Sequence, residues 1–228
     1  MKINILCLYY DIMNLYGDAR NYKILTHHLD YLGISYNVDK LSISDDINFN
    51  KYDICFIGEG TENNRFLCLE HLLKYKKDIE KYIADSKFFF VTGNAVAMFG
   101  KKLYDKEALG LFDFKVSPSD ERISEEVILD NKFGRPIYGF LNHSDVMSNF
   151  DNNLFLNEGV FVNNFYGTYV LGPILARNPD FLKYFIKELI LFKDKSFDKF
   201  DIDTSLEDKA YLEYIEFKKT KKFNAKNS

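Results

Sequence analysis

Cysteine is scarce. Cys7, Cys55 and Cys68 are the three in 228 residues, an odd number with no CxxC pair and no Cys/His metal spacing. That excludes a disulfide framework and a zinc site, so no metal is expected, and it fits a reducing cytoplasm. With 4 prolines and 12 glycines the chain is neither collagenous nor of low complexity. An excess of one charge is missing too: 30 basic residues against 34 acidic leave a formal charge of -4. A broad cationic surface for nucleic acid or anionic lipid is therefore not expected. No apolar run reaches the roughly 18 residues of a membrane span. Met1 and Lys2 lead straight into a short β-like run over 3–9, where a signal peptide would carry a longer apolar segment. What is present is a packed globular composition, 46% hydrophobic and 17% aromatic, long enough for one large domain with its own core.

Across the first hundred residues, strand-like runs alternate with helical periodicity in the order β-α-β-β-α-β-α, the pattern of a parallel sheet covered by helices on both faces. Ile24, Leu25, His28, Leu29 and Leu32 form one helical stripe that Gly33 ends as a left-handed cap. Strands follow over 35–41 and 53–57. Phe66, Leu69, Leu72, Leu73, Ile79 and Ile83 mark one further helix, and a fourth strand over 87–91 runs into a sharp strand-to-helix turn at Gly93-Asn94. From 110 to 172 shorter β runs (111–116, 126–129, 136–141, 159–162 and 166–171) predict a more antiparallel half. Helical spacing returns at Pro179, a first-turn proline. A last helix is expected from Ser205, where Ser205-Leu206-Glu207-Asp208 resembles a capping box. The expected division is a domain over 1–195 and, over 196–228, a helix with a tail in which 217–228 holds five lysines and no acid. Such a tail reads most simply as solvated.

Two short motifs carry candidate chemistry. Gly58-Glu59-Gly60 closes a central strand, where glycine lets backbone N–H groups approach an anion; without GxGxxG spacing or a Walker lysine it also fits an ordinary turn. Thr92-Gly93-Asn94 lies where a nucleophile elbow would, yet Gly93 supplies no nucleophile and Asn94 only an amide. His27, His28 and His71 read as surface or core residues; His143 follows a strand with no cysteine or serine paired to it. The cysteines lie inside strand runs or a helix, where a thiol behaves as a small apolar group.

The run Tyr10-Asp11-Ile12-Met13-Asn14-Leu15-Tyr16-Gly17-Asp18-Ala19-Arg20-Asn21 resembles the opening motif of the cobyric-acid-synthase-type class I glutamine amidotransferases, in particular the glutaminase subunits of lipid II isoglutaminyl synthase. The resemblance continues through Ile57-Gly58-Glu59-Gly60-Thr61-Glu62, Leu109-Gly110-Leu111-Phe112-Asp113 and Gly139-Phe140-Leu141-Asn142-His143-Ser144. It closes with Gly167-Thr168-Tyr169-Val170-Leu171-Gly172-Pro173 and the residues to Pro179, spanning about 3–192. It implies a flavodoxin-like three-layer α/β sandwich, its central sheet mostly parallel with an antiparallel extension. It further implies glutamine hydrolysis by a Cys-His pair, with ammonia passed to a partner.

Two departures contradict that activity. Counting back from Gly100 puts Gly93 at the family's nucleophile, and Leu171 stands where the catalytic histidine precedes Gly-Pro. Neither Cys nor His occurs over 88–100 or 159–178, so a shift of register does not restore either. Glu59 places an anionic side chain in the oxyanion segment, and Arg122 resembles the family's basic residue near bound glutamine, or is a solvated charge beside Asp120 and Glu121. The expectation is a glutamine-amidotransferase-like protein without catalytic residues. Its ligand pocket would comprise Gly58, Glu59, Gly60, Gly93, Asn94 and Arg122, need no cofactor and take glutamine or a similar small amino acid. Its partner would be a Mur-ligase-like amidating subunit. Two alternatives stay open: a working amidotransferase subunit of peptidoglycan amidation or cobyric-acid-type synthesis, and a flavodoxin-like ligand-binding protein with no ligase partner.

Overall fold

Apolar side chains alternate along each central strand, so one sheet feeds two cores. The computed structural model of the chain describes residues 1–148 and 152–226; side chains from 221 onward, which include three of the five tail lysines, lie outside the description. β1 (Lys2–Leu8), β2 (Ser35–Leu41), β3 (Ile54–Ile57), β4 (Phe88–Thr92), β9 (Val160–Val162) and β10 (Phe165–Thr168) form a six-stranded sheet in the order β2-β1-β3-β4-β10-β9. All neighbours are parallel except β9 with β10. Leu6, Leu8, Cys55, Ile57, Phe89 and Val91 face α2 (Glu62–Leu73) and α3 (Lys76–Ala84). Ile3, Ile5, Cys7, Ile54, Phe56, Phe88 and Phe90 face α1 (Arg20–Tyr31), α4 (Ile174–Arg177) and α5 (Pro179–Lys193). Coverage on both sides is why these strands are almost continuously apolar.

The expected α/β sandwich is present, with four local corrections. The helix expected from Phe66 to Ile83 is two, because Tyr75 leaves helical geometry (φ -107°, ψ 12°) to pack its ring 6.1 Å from Phe49 and to accept a hydrogen bond from the Ile47 N–H. The antiparallel half is mostly a second sheet, in the order β6-β5-β7-β8: β5 (Lys102–Leu103), β6 (Lys106–Glu107) and a long hairpin of β7 (Lys115–Leu129) with β8 (Ile137–Met147). The run expected as a strand over 111–116 starts only at Lys115, because the preceding turn buries Phe112 and Phe114. Finally, α6 (Ser205–Lys226) starts one residue earlier than a cap at Ser205 would place it: the Thr204 carbonyl accepts the Asp208 N–H at 2.7 Å, and its hydroxyl donates to the Asp208 carboxylate at 2.7 Å. Gly33 does adopt the left-handed cap, at φ +68°.

Arg135 pins α6 to the body. Its guanidinium bonds Asp180 and Asp208 and lies 4.7 Å from the Tyr211 ring centroid, while Tyr138 and Tyr214 stack at 4.1 Å. Removing this one cation releases two carboxylates at once. Arg135→Ala is therefore expected to speed amide hydrogen exchange selectively in α6 and leave β1, β3 and β4 protected; uniform exchange across both regions would contradict this. No helix among the described residues is long and apolar enough to cross a membrane.

Candidate functional site

The carboxyl ends of β3 and β4 bring five of the six expected pocket residues together. Gly93 turns the chain sharply out of β4 at φ +64°, in the left-handed region that favours glycine, into a 3₁₀ helix over Gly93–Phe99. Opposite it, the turn after β3 carries Gly58, Glu59 and Gly60. A Cβ at Gly58 would stand 2.7 Å from the Met13 carbonyl oxygen and 2.8 Å from Asp18 Cβ, so only glycine lets the segment after β1 cross this closely.

These residues satisfy one another. The Glu59 carboxylate accepts the Asn94 backbone N–H, and the Asn94 side chain accepts from the Gly60 N–H at 3.3 Å and donates to the Gly60 carbonyl at 2.7 Å. The Glu59 N–H donates to Asp18 Oδ2 at 2.6 Å. Glu59 and Asn94 are only 5% and 4% exposed. A Cβ built on Gly93 would fall on Glu59 Oε2 and lie 2.7 Å from its Cδ. The glutamate thus fills the volume a side chain at Gly93 would need, and it engages the first N–H after the turn.

Arg122 lies apart from this cluster, exposed on β7, where its Nε donates to Asn142 Oδ1 at 2.8 Å; Asn142 in turn donates to the Tyr16 hydroxyl. Leu171 is 1% exposed and exchanges both backbone hydrogen bonds with Phe140, ahead of Gly172 at φ +86°. The His143 ring lies 4.5 Å from that of Tyr169, tilted by 41°, and its Nδ1 lies 3.0 Å from the Asp145 carbonyl oxygen. The three cysteines are buried, and burial pushes the Cys7 and Cys68 thiols up to about 12, so neither is a thiolate near neutrality. Among the described residues no group of three or more His, Cys, Asp or Glu is placed to hold a metal ion.

Sequence reasoning missed the charged group beneath the cluster. Arg65, fully buried, pairs with Asp145 and donates to the Tyr104 hydroxyl at 3.0 Å; Asp145 also accepts from Tyr104 at 2.7 Å and Tyr169 at 3.1 Å. A charge in a helix and another in a strand eighty residues on carry no local signal of pairing. The opening motif has a local role: Asn14, Asp18 and Asn21 accept the N–H groups of Ala19, Glu59 and Leu175, tying the segment after β1, the turn after β3 and the first turn of α4 into one unit.

Burial of Glu59 raises its pKa to about 8; the Asn94 N–H works against this, while the Asp18 carboxylate adds to it. Asp18 is itself raised to about 6 by burial, opposed by the Glu59 N–H and the Thr92 hydroxyl. A carboxyl whose folded pKa exceeds its unfolded value keeps a proton that the unfolded chain releases. Its contribution is therefore lost as pH rises from about 4.3 toward about 8. Urea midpoints measured across this window should fall less with pH in Glu59→Gln than in the native chain; parallel curves would refute the assignment.

A relative fixes the family. Lipid II isoglutaminyl synthase (glutamine-hydrolyzing) subunit GatD of Streptococcus pneumoniae is 30% identical over 198 residues, 78% of this chain and 76% of that protein. The chain belongs to the GatD family. The Staphylococcus aureus protein of the same name is 27% identical over 217 residues, 88% of this chain and 89% of its own length. No protein-family model matches the chain. Two crystal structures of glutamine amidotransferases, one of them from Thermotoga maritima, share the fold at TM-scores of 0.55 and, for the latter, 0.50. Each is 16% identical; they cover 81% and 86% of this chain, and 98% and 86% of their own.

In this GatD-family chain an open cavity lies on the α1 face of the sheet, beside the closed cluster. About 170 Å³ of solvent-accessible space is lined by Cys7, Tyr10, Asp18, Tyr22, Lys40 and Phe56, among others. Of the residues expected to line a pocket, Gly58 alone lines this one. No single stretch of sequence signals the cavity, because it joins residues from β1, β2, β3, β4, α1 and the segment before α1.

Proposed function

We propose that this chain is a GatD-family subunit that has lost glutamine hydrolysis and serves a Mur-ligase-like amidating partner through binding. The observation that carries the reading is the Glu59 carboxylate, which lies where a side chain on Gly93 would have to go and accepts the Asn94 N–H. An acyl-transfer site at a strand-to-helix elbow needs a nucleophile on the turn residue and unclaimed N–H donors facing the developing oxyanion. Here the turn residue is glycine, the Asn94 N–H is taken by Glu59 and the Gly60 N–H by the Asn94 amide. Loss of nucleophile and base together leaves little beyond binding. Leu171 at the expected histidine position agrees with this.

The test is glutamate release from glutamine by the purified chain, alone and with any ligase that co-purifies from the native cell. No turnover above the buffer rate in either case, with a ligase recovered, is the expected result. A second reading, a working amidotransferase subunit, is favoured by the names of both relatives, which specify glutamine hydrolysis. Sustained turnover abolished by a single substitution at Asn94 would establish that reading instead.

A further inference from the structure

We infer that the cavity on the α1 face is a ligand site for a small molecule with a carboxylate at one end and an ammonium at the other, separated by a short apolar chain. The site goes beyond the proposed function and holds whether or not glutamine is hydrolysed. Its place is the first reason. In the strand order β2-β1-β3-β4 the chain's connections reverse direction at β1 and β3, and open α/β sheets bind ligands outside the carboxyl ends of the strands at such a switch. Leu8 ends β1 and Tyr10 follows it, Ile57 ends β3 and Gly58 follows it, and Thr92 ends β4; all line the cavity.

The second reason is a carboxylate without a countercharge. Asp18 lines the cavity and is 6% exposed; it accepts from the Glu59 N–H and the Thr92 hydroxyl, and no cation among the described residues pairs with it. A buried carboxylate without a cationic partner is costly, and a ligand ammonium would supply one. The third reason lies at the opposite end. Lys40 Nζ stands 5.9 Å from the Tyr10 ring centroid and 6.0 Å from that of Tyr22, so two tyrosine faces hold a cation at the mouth.

Register sets the spacing between these ends. Lys40 on β2 pairs with Cys7 on β1, Cys7 with Phe56 on β3, and Phe56 with Phe90 on β4, giving an apolar floor running from the lysine toward Asp18. Neighbouring strands are about 4.8 Å apart, so Lys40 on β2 and the end of β3, whose following Glu59 N–H is held by Asp18, lie two spacings or roughly 10 Å apart at the backbone before the lysine reaches inward. That suits a carboxylate and an ammonium several bonds apart better than the adjacent pair of an α-amino acid. At roughly 10–15 Å³ for each water-sized group, the space admits such a chain.

The experiment is calorimetric titration of the full chain at about pH 7.5 with 5-aminopentanoate, with pentanoate, which lacks the ammonium, and with pentylamine, which lacks the carboxylate. The expected result is that 5-aminopentanoate binds and that each truncated analogue binds roughly tenfold more weakly or worse, the usual loss when a charged hydrogen-bond partner is removed. Lys40→Glu, at an exposed position, should weaken 5-aminopentanoate by a similar factor. Asp18→Asn should too, because the amide can keep its acceptor on the Glu59 N–H while turning a donor toward the cavity. If Asp18→Asn does not fold, the lysine variant decides. Absence of binding at millimolar concentration, equal binding of all three compounds, or undiminished binding by Lys40→Glu would overturn the inference.

Discussion

Gly93→Cys combined with Leu171→His is expected to release no glutamate from glutamine while Glu59 is present. Restoring the sulfur and the imidazole supplies the missing atoms but not their space, because the new Cβ would fall on the Glu59 carboxylate. The Asn94 N–H would also remain engaged by that carboxylate. Adding Glu59→Gly removes the obstruction and frees the donor, so the triple variant is where any recovered hydrolysis should be sought. The same geometry has a stability signature that does not depend on chemistry. A Cβ held at φ +64° costs about 1–2 kcal/mol, and forcing extra volume into a packed site about 1–3 kcal/mol more. Gly93→Ala should therefore destabilise the fold by about 2–5 kcal/mol in urea titration. With Glu59→Gly in the background, the second part of that penalty should disappear. If Gly93→Ala cost the same in both backgrounds, Glu59 would not be the occupant that matters. Activity in the double variant with Glu59 intact would show the carboxylate to be displaceable and would remove the main support for the proposed loss of hydrolysis.

How far the molecule could be read from its sequence depended on whether the signal was local. Strand alternation at Ile54, Phe56, Phe88 and Phe90, the Gly33 cap and the turn at Gly93 are properties of a few consecutive residues, and each is found where the pattern put it. The break at Tyr75 was hidden because its cause, packing on Phe49, is tertiary. Motif order brought Gly58, Glu59, Gly60, Gly93 and Asn94 together correctly because adjacent parallel strands present their carboxyl ends side by side. What no pattern could reveal was how the side chains settle there: Glu59 folds over Gly93, Asn94 closes on Gly60, and the open volume lies across β1 beside Lys40 and Asp18. Arg122 followed the opposite course: its resemblance to the family's basic residue suggested a site residue, but the hairpin of β7 and β8 carries it to the surface beside Asn142, as its neighbours Asp120 and Glu121 allowed.

The second large effect concerns the buried charges under the cluster. Arg65 and Asp145 are 0% and 4% exposed in their side chains, and the aspartate accepts from the guanidinium and from the Tyr104 and Tyr169 hydroxyls. Burial pulls Arg65 toward its neutral form, but Asp145 and Tyr104 outweigh it and leave the guanidinium raised above its ordinary value. Asp145→Ala would strand this cation together with two hydroxyls, and breaking a buried pair by removing one partner costs about 3–5 kcal/mol. The pair is nonetheless not a strong net contributor, since desolvation offsets most of its attraction and Arg65 Nε has no partner among the described residues. Replacing both partners by apolar residues of similar length, Arg65→Met with Asp145→Leu, should therefore recover the part of the loss due to the stranded cation, leaving the share of the two hydroxyls that lose their acceptor. A double-mutant cycle by urea unfolding reads the difference directly. Additive losses would mean that the two charges do not depend on each other. Full coupling would mean that the fold tolerates their absence as a pair, and that the pair's consequence is to fix Tyr104 and Tyr169 against β8 just below Glu59.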